Sequence, residues 1–146
     1  MYAPDAVPTE PVCRVRWSGS EGACARIQDL VYGRAMAEKA VFWVGTSLAD
    51  TRAFPVEARQ RAGYELYLVQ HGEEPNDWKP MPAVGSGVRE IRIHSNGEYR
   101  VFYVASFSEG VYVLHSFEKK TQRTRQADIA LGRARYADVV RMRLKR

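Results

Sequence analysis

Three segments with strand-like sequence follow one another between residues 88 and 117, and they constrain the fold more than any other feature of the chain. The first, Val88–His94, alternates apolar and polar side chains with the period of two that a half-buried strand shows. Tyr99–Ser106 and Val111–Phe117 are rich in β-branched and aromatic residues. Asn96-Gly97 is a turn signal between the first two segments. The pattern predicts three strands that form a sheet with one apolar and one polar face.

The loop between the first two strands decides which face Arg100 occupies. A two-residue loop would pair Ile93 with Arg100 and place a charge on the apolar face. An odd-numbered loop, with Gly97 forming a bulge, would pair Ile93 with Val101 and keep that face apolar. We therefore expect Arg100 on the polar face, which already carries the other polar side chains of the first strand: Glu90, Arg92 and His94.

The sequence before these strands predicts one strand and a helical hairpin. Val41–Val44 is an apolar run suited to a buried strand. Ser47 can cap a short helix over Leu48–Ala53, and Pro55 can open a second helix that Gly72 closes. The apolar side chains of the second helix fall on one broad face at helical spacing: Val56, Ala62, Leu66 and Val69. We expect the hairpin to pack on the sheet.

The remaining segments complete an α+β fold. Gly72–Gly87 is rich in proline, glycine and charge and is predicted to be a loop. Thr121–Thr124 offers caps for a last helix, whose apolar positions are Ile129, Tyr136, Val140 and Leu144. The predicted order is β-α-α-β-β-β-α, with an N-terminal helical hairpin packed on a small sheet and a C-terminal helix.

The first 35 residues are interpreted as an N-terminal extension. They hold three early prolines (Pro4, Pro8 and Pro11) and no strong periodicity, so we expect poor order there. Met36 stands immediately before the first domain-like segment and is an alternative translation start. The domain itself is assigned to residues 36–146, within the usual length of a single domain.

The basic charge is concentrated at the C-terminal end. Residues 119–146 contain ten basic and two acidic side chains, whereas residues 36–118 carry a net charge of −3. This asymmetry is typical of a protein that binds a polyanion, although a solvated helix face gives the same pattern.

Several functional classes are excluded. Cys13 and Cys24 lack CxxC spacing, and no cysteine follows them, so a disulfide framework is not expected. No run approaches the roughly 18 apolar residues of a membrane span, and no basic leader precedes an apolar run. His71, His94 and His115 lie on separate elements without metal-ligand spacing, and there is no P-loop or GxGxxG sequence. We expect a soluble cytoplasmic protein without metal or cofactor.

The end of the last strand carries further candidates for chemistry. The period of two places His115 on the same face as Val111 and Val113, which favours a hydrogen-bonded core histidine over a functional one. Lys119 and Lys120 follow the strand, where their cations could reach a phosphate on the polar face.

Four segments resemble the phage-related HigB branch of the RelE toxin superfamily. They are WVGTSLADTRAFP, LVQHGEEPNDWKPMPAVGSGVREIRI, YRVFYVASF and VLHSFEKKTQRT, and the resemblance covers roughly residues 38 to 140. It implies a compact antiparallel sheet with a helical hairpin on one side. It also implies metal-independent cleavage of mRNA, typically at the ribosome, and control by a HigA-like helix-turn-helix antitoxin.

The same resemblance implies roles for individual residues. Arg92 and Arg100 would contact the scissile phosphate. Lys119 or Lys120 would add positive charge, and Glu90 or His115 would transfer protons. Further basic residues are the candidates for RNA contacts: Lys79, Arg89, Arg123 and Arg125.

The sequence departs from the HigB branch in two places, and two other functions are compatible with it. The chain has 35 additional N-terminal residues, and it has Arg125 where the branch usually has proline. A ParE-like inhibitor of DNA gyrase would share the fold without needing the arginine cluster. A module that binds nucleic acid or an antitoxin without catalysis, or an inactive homologue, would use the basic C-terminal helix alone.

Overall fold

The computed structural model describes residues 13–15 and 39–145. In chain order the elements are β1 (Cys13–Val15), β2 (Ala40–Trp43), α1 (Ser47–Arg52), α2 (Val56–Gln70), β3 (Trp78–Pro80), β4 (Val88–His94), β5 (Glu98–Val104), β6 (Gly110–Glu118) and α3 (Gln126–Leu144). The α+β class is confirmed. None of the helices in these described ranges is long and apolar enough to cross a membrane.

The strands form one mixed sheet in the order β1-β2-β6-β5-β4-β3. β2 runs parallel to β6, and the other neighbours are antiparallel, so the sheet is rich in antiparallel pairs as expected. Two edge strands were not predicted. β3 lies inside the segment expected to be a loop, because three residues with a proline are too short to show alternation.

β1 falls within the N-terminal segment that was interpreted as an extension. Its three residues pair antiparallel with β2, with Cys13 opposite Trp43 and Val15 opposite Val41. The rest of residues 1–38 lies outside the described part of the chain. The domain boundary at residue 36 and the alternative start at Met36 therefore stay predictions.

The helical hairpin packs on one face of the sheet, as predicted. Pro55, with φ −57°, precedes α2, and Gly72, with φ +83°, follows it. The backbone N–H of Glu73 donates to Leu68 O at 2.9 Å, which completes a glycine-dependent helix end. Ala62, Leu66 and Val69 are buried, whereas Val56 is 56% exposed and Ala58 takes its place in the core. The expectation for Val56 was wrong: it is the first residue of α2, and the helix turns its side chain toward solvent.

The β4–β5 turn contains three residues, so Arg100 lies on the polar face as expected. Asn96 adopts a positive φ of 55°, and Gly97 has φ 150°. The expected pairing of Ile93 with Val101 is wrong: Ile93 pairs with Tyr99. The β4–β5 ladder continues without a bulge up to the turn, so the observed register differs from the expected one by two residues. A shift of two residues leaves every side chain on the same face, and Arg100 therefore stays on the polar face.

A β-bulge in β6 reverses the expectation for His115. Phe102 pairs with His115, but the next residue, Tyr103, pairs with Val113, so Leu114 is the extra residue. His115 therefore lies on the face opposite Val111 and Val113, and its predicted place beside them is wrong. The sequence alternation cannot reveal a bulge, because the inserted residue is itself apolar.

The C-terminal helix packs on half of the polar face. Gly132 allows close approach, since a Cβ there would lie 2.9 Å from the Phe102 ring. Val139 is fully buried, whereas Leu144, predicted to face the sheet, is 80% exposed. The predicted caps in Thr121–Thr124 are wrong, because Arg125 is the N-cap residue and no side chain bonds the free amides there.

Candidate active site on the polar face of the sheet

The polar face of the sheet brings charged residues of neighbouring strands into rows. Residues directly opposite each other in an antiparallel ladder share a face. Lys79 lies opposite Glu90, and Glu90 lies opposite Phe102, which pairs with His115. In the next row Arg92 lies opposite Arg100, which pairs with Phe117. We call this surface the arginine face; it consists of Lys79, Glu90, Arg92, His94, Glu98, Arg100, His115 and Lys119.

Glu90 lies between the two arginines at the centre of the arginine face. Its side chain is 1% exposed, and its oxygens lie 4.0 Å from Arg92 Nε and 3.7 Å from Arg100 Nε. Arg100 is itself buried, and its Nη1 donates to Tyr99 O and contacts Glu98 Oε1, both at 3.1 Å. The structure therefore brings together three of the predicted residues: Glu90, Arg92 and Arg100.

The contacts within this triad are long for hydrogen bonds. Within residues 39–145, neither Glu90 Oε2 nor Arg100 Nε has a hydrogen-bond partner. The Arg92 guanidinium forms ion-pair contacts with Glu90 and, at 3.8 Å, with Asp77. Buried polar groups are normally satisfied, and guanidinium donors pair well with phosphate oxygens. Arg100 Nε is thus a buried donor without a partner among these residues, whereas the Arg92 side chain is 34% exposed and can meet a bound anion.

His94 sits at the edge of the arginine face between two carboxylates. Its Nδ1 lies 2.8 Å from Glu98 Oε2, and its Nε2 lies 2.9 Å from Asp77 Oδ2. The hydrogen bond with Glu98 and then that with Asp77 raise the pKa of His94. The pKa of Glu98 is lowered in turn, first by His94 and also by Arg100.

His115 is buried behind the arginines under the start of α3. Its Nε2 lies 2.8 Å from Asp128 Oδ1, and its ring stacks on Phe117 with centroids 4.9 Å apart. Burial lowers the pKa of His115, against the opposing effect of Asp128. Its Nδ1 has no hydrogen-bond partner in the described part of the chain. A neutral imidazole oriented by a carboxylate has the form of a proton acceptor.

The two lysines after β6 differ in placement. The backbone N–H of Lys119 donates to Glu98 O at 2.7 Å, which extends the ladder and puts Lys119 on the arginine face by alternation. Lys120 is exposed and forms a 3.9 Å ion pair with Glu118, which lies opposite Tyr99 on the other face. Lys119 is thus grouped with the arginines and Lys120 is not.

The predicted RNA-binding residues are scattered. Lys79 is exposed on the arginine face opposite Glu90. Arg89 lies on the opposite face, where its guanidinium stacks 4.1 Å from the Trp78 ring centroid and approaches Glu74. Arg123 is exposed before α3, and Arg125 bonds Asp128 Oδ2 at 3.0 Å.

Much of the C-terminal basic charge has a structural use. Arg135 is buried and donates to Leu114 O at 3.0 Å, and Arg133 donates to Ala83 O at 2.8 Å. Arg143 pairs with Glu109 at 2.5 Å, and Arg141 pairs with Asp138. The asymmetry of the sequence therefore overstates the charge that α3 offers to a partner.

Sequence reasoning missed three members of the site: Asp77, Glu98 and Asp128. Asp77 lies in the segment predicted to be a loop, and its position depends on the unpredicted strand β3. His94 and Glu98 stand four residues apart around a three-residue turn, which was the available signal that they face each other. In the part of the chain that the structure describes, no group of three or more His, Cys, Asp or Glu is placed to hold a metal ion.

Comparison with known proteins identifies the family of the chain. No curated protein matches the chain. The model of a family described as "Phage derived protein Gp49-like (DUF891)" matches residues 49–137, from α1 into α3, and so includes the whole arginine face. The chain belongs to this Gp49-like family, which is part of the RelE/ParE-like toxin superfamily.

Proposed function

We propose that the protein is the toxin of a toxin-antitoxin pair and cleaves mRNA on the arginine face without a metal ion. One observation carries this proposal: Arg92 and Arg100 lie opposite each other on adjacent strands, and Arg100 Nε has no hydrogen-bond partner within residues 39–145. Two guanidiniums side by side match the oxygens of a phosphodiester. Membership of a toxin superfamily supports the same conclusion.

The reaction follows from RNA chemistry. The ribose 2′-oxygen attacks the adjacent phosphorus, the bond to the 5′-oxygen breaks, and the products are a 2′,3′-cyclic phosphate and a 5′-hydroxyl. Arg92 and Arg100 stabilise the charge that grows on the phosphate oxygens, and Lys119 adds a further cation. A base takes the 2′-hydroxyl proton, and an acid supplies one to the leaving oxygen.

Glu90 and His115 are the two candidates for the proton transfers. Glu90 adjoins both arginines, and its Oε2 is free of hydrogen bonds within the described residues. His115 is held by Asp128, and its lowered pKa favours the neutral ring that can accept a proton. Substitution of the true base is expected to reduce cleavage about 100- to 10,000-fold. Comparison of Glu90→Gln with His115→Gln therefore assigns the role.

The HigB-like branch, the site of action and the partners belong to the same proposal. The toxin acts in the cytoplasm on mRNA at the ribosome, and a HigA-like helix-turn-helix antitoxin neutralises it. Lys79, Arg123 and Lys120 are exposed and contribute to RNA contacts by charge. Arg89 and Arg125 have intramolecular partners, so we assign them weaker RNA contacts.

The test is induction of the chain in cells with no antitoxin, followed by measurement of growth and mRNA integrity. Wild type should arrest growth and cut mRNA, and Arg100→Ala should lose about 100- to 1,000-fold in cleavage. Arg59→Ala is the matched control, since Arg59 is a partly exposed arginine on α2 whose guanidinium donates to Arg52 O and lies outside the arginine face. Growth arrest with intact mRNA and damaged DNA would instead indicate a gyrase inhibitor.

A second candidate is a module that binds nucleic acid or an antitoxin without catalysis. One observation favours it: Arg100 is only 6% exposed and is already neutralised by Glu90 and Glu98. Such a protein would bind RNA and leave it whole.

A further inference from the structure

The charged groups at the edge of the arginine face form one continuous chain through His94. Asp77 contacts His94 Nε2 with Oδ2 and Arg92 Nη1 with Oδ1, at 2.9 and 3.8 Å. Glu98 contacts His94 Nδ1 with Oε2 and Arg100 Nη1 with Oε1, at 2.8 and 3.1 Å. Each carboxylate therefore uses one oxygen for the imidazole and the other for an arginine. The histidine links the two arginines indirectly.

We propose that His94 is a positioning residue that, as the imidazolium, holds Asp77 and Glu98 and through them fixes Arg92 and Arg100 against a bound phosphodiester. This inference rests on the function proposed above. An imidazolium donates from both nitrogens, whereas a neutral ring has a single N–H. Loss of the proton therefore releases one carboxylate, which then competes with the substrate for its arginine.

The charge balance also favours phosphodiester binding when His94 is protonated. Asp77, Glu98 and Glu90 offset Arg92, Arg100 and the His94 imidazolium, so the cluster is neutral when His94 is charged. Deprotonation leaves it with one net negative charge facing an anionic substrate. From α2, Glu57 and Arg61 line the same shallow groove as His94 and have opposite signs. The nearest groups, Glu98 and Asp77, raise the pKa of His94 above 6.5 and extend the imidazolium form toward neutral pH.

The test is an NMR titration of the full chain that follows the His94 ring and the Nε–H signals of Arg92 and Arg100. The His94 ring should titrate above pH 6.5, and both arginine signals should shift with the same midpoint. The arginine shifts should vanish in His94→Gln and persist in His71→Gln. His71 is a suitable control because it caps α2, and its Nδ1 contacts Tyr67 O. The 55% exposure of His94 makes unfolding of the variant unexpected, and circular dichroism checks it.

A second measurement connects the histidine to RNA. The Kd of a 2′-O-methyl oligonucleotide, which cannot be cleaved, should rise about threefold as pH passes the His94 midpoint, the effect of one charge at roughly 6 Å in water. His94→Gln should remove this step. The proposal would be overturned by arginine Nε–H signals that do not shift as His94 titrates. It would also be overturned if the pH-dependent change in Kd persisted in His94→Gln. Coupled arginine shifts in a protein that never cuts RNA would overturn the proposed function alone.

Discussion

Two glutamates are buried among residues 39–145, in opposite situations and on opposite sides of the sheet. Glu65 on α2 is 3% exposed and accepts hydrogen bonds from Asn76 N at 2.7 Å and Asn76 Nδ2 at 2.9 Å. Glu90 on β4 is 1% exposed and has only ion-pair contacts at 3.7 and 4.0 Å. Both of the Glu65 oxygens are satisfied, whereas Glu90 Oε2 is not within residues 39–145.

The difference separates a stabilising region from a reactive one. On the hairpin side the Glu65 carboxylate is closed by two short hydrogen bonds, and α2 contributes to an apolar core. The arginine face buries charges and leaves hydrogen-bonding capacity open, which costs stability unless a ligand uses it. Substitutions on the hairpin side should therefore change folding, and those on the arginine face should change activity.

The largest expected effect on stability is on the hairpin side. Leu66→Ala removes a fully buried side chain of the core, and the cavity should lower the free energy of unfolding by about 2–5 kcal/mol. Urea unfolding followed by circular dichroism measures the change. Tyr64→Ala, on the exposed side of the same helix, should stay within about 0.5 kcal/mol. Equal losses at both positions would contradict the placement of the core.

The two glutamates themselves give the sharpest contrast. Glu65→Gln replaces one accepting oxygen with an NH2 group that would face an Asn76 N–H donor. The lost hydrogen bond should cost about 1–3 kcal/mol of stability, and cleavage per folded molecule should be unchanged. Glu90→Gln breaks no hydrogen bond, and Arg100 keeps its contact with Glu98, so its stability cost should be smaller. Its cleavage rate should fall. The reverse pattern would remove the distinction between the two regions.

Acid should weaken the fold through His115. Because burial lowers its folded pKa below the ordinary 6.5, the unfolded chain binds a proton first as pH falls. The His115 contribution is therefore complete above pH 6.5 and declines below it. Unfolding free energies between pH 7.5 and 5 should show this loss in wild type and less of it in His115→Gln. An identical pH dependence in both proteins would argue against a buried neutral ring.

The smallest effect concerns a pair far from the arginines. Arg143 lowers the pKa of Glu109 from 4.5 to about 2, so the pair stabilises the fold above pH 4.5 and its contribution declines toward pH 2. Because both side chains are partly exposed, the contribution should be below about 1 kcal/mol. Arg143→Ala should flatten the unfolding free energy between pH 5 and 3. A loss of cleavage in this variant would show that α3 contributes to the site.

The sequence was informative where side-chain alternation alone sets the structure. The bounds of β4 are those predicted, and the odd-numbered turn correctly put Arg100 beside Arg92 and Glu90. Alternation failed at His115, because an apolar bulge residue reverses the facing side without changing the composition of the strand. It also missed Asp77, whose place depends on a three-residue edge strand that only long-range pairing defines.

The proposed function depends on RNA cleavage by the arginine face, and the ends of the products test it most directly. We would incubate mRNA on translating ribosomes with wild type, Arg92→Ala, Arg100→Ala and the control Arg59→Ala, and analyse the termini. We expect 2′,3′-cyclic phosphate and 5′-hydroxyl ends with wild type and Arg59→Ala, and at least about 100-fold less product with the other two variants. Intact RNA with folded wild type, or equal cleavage by Arg100→Ala, would contradict it.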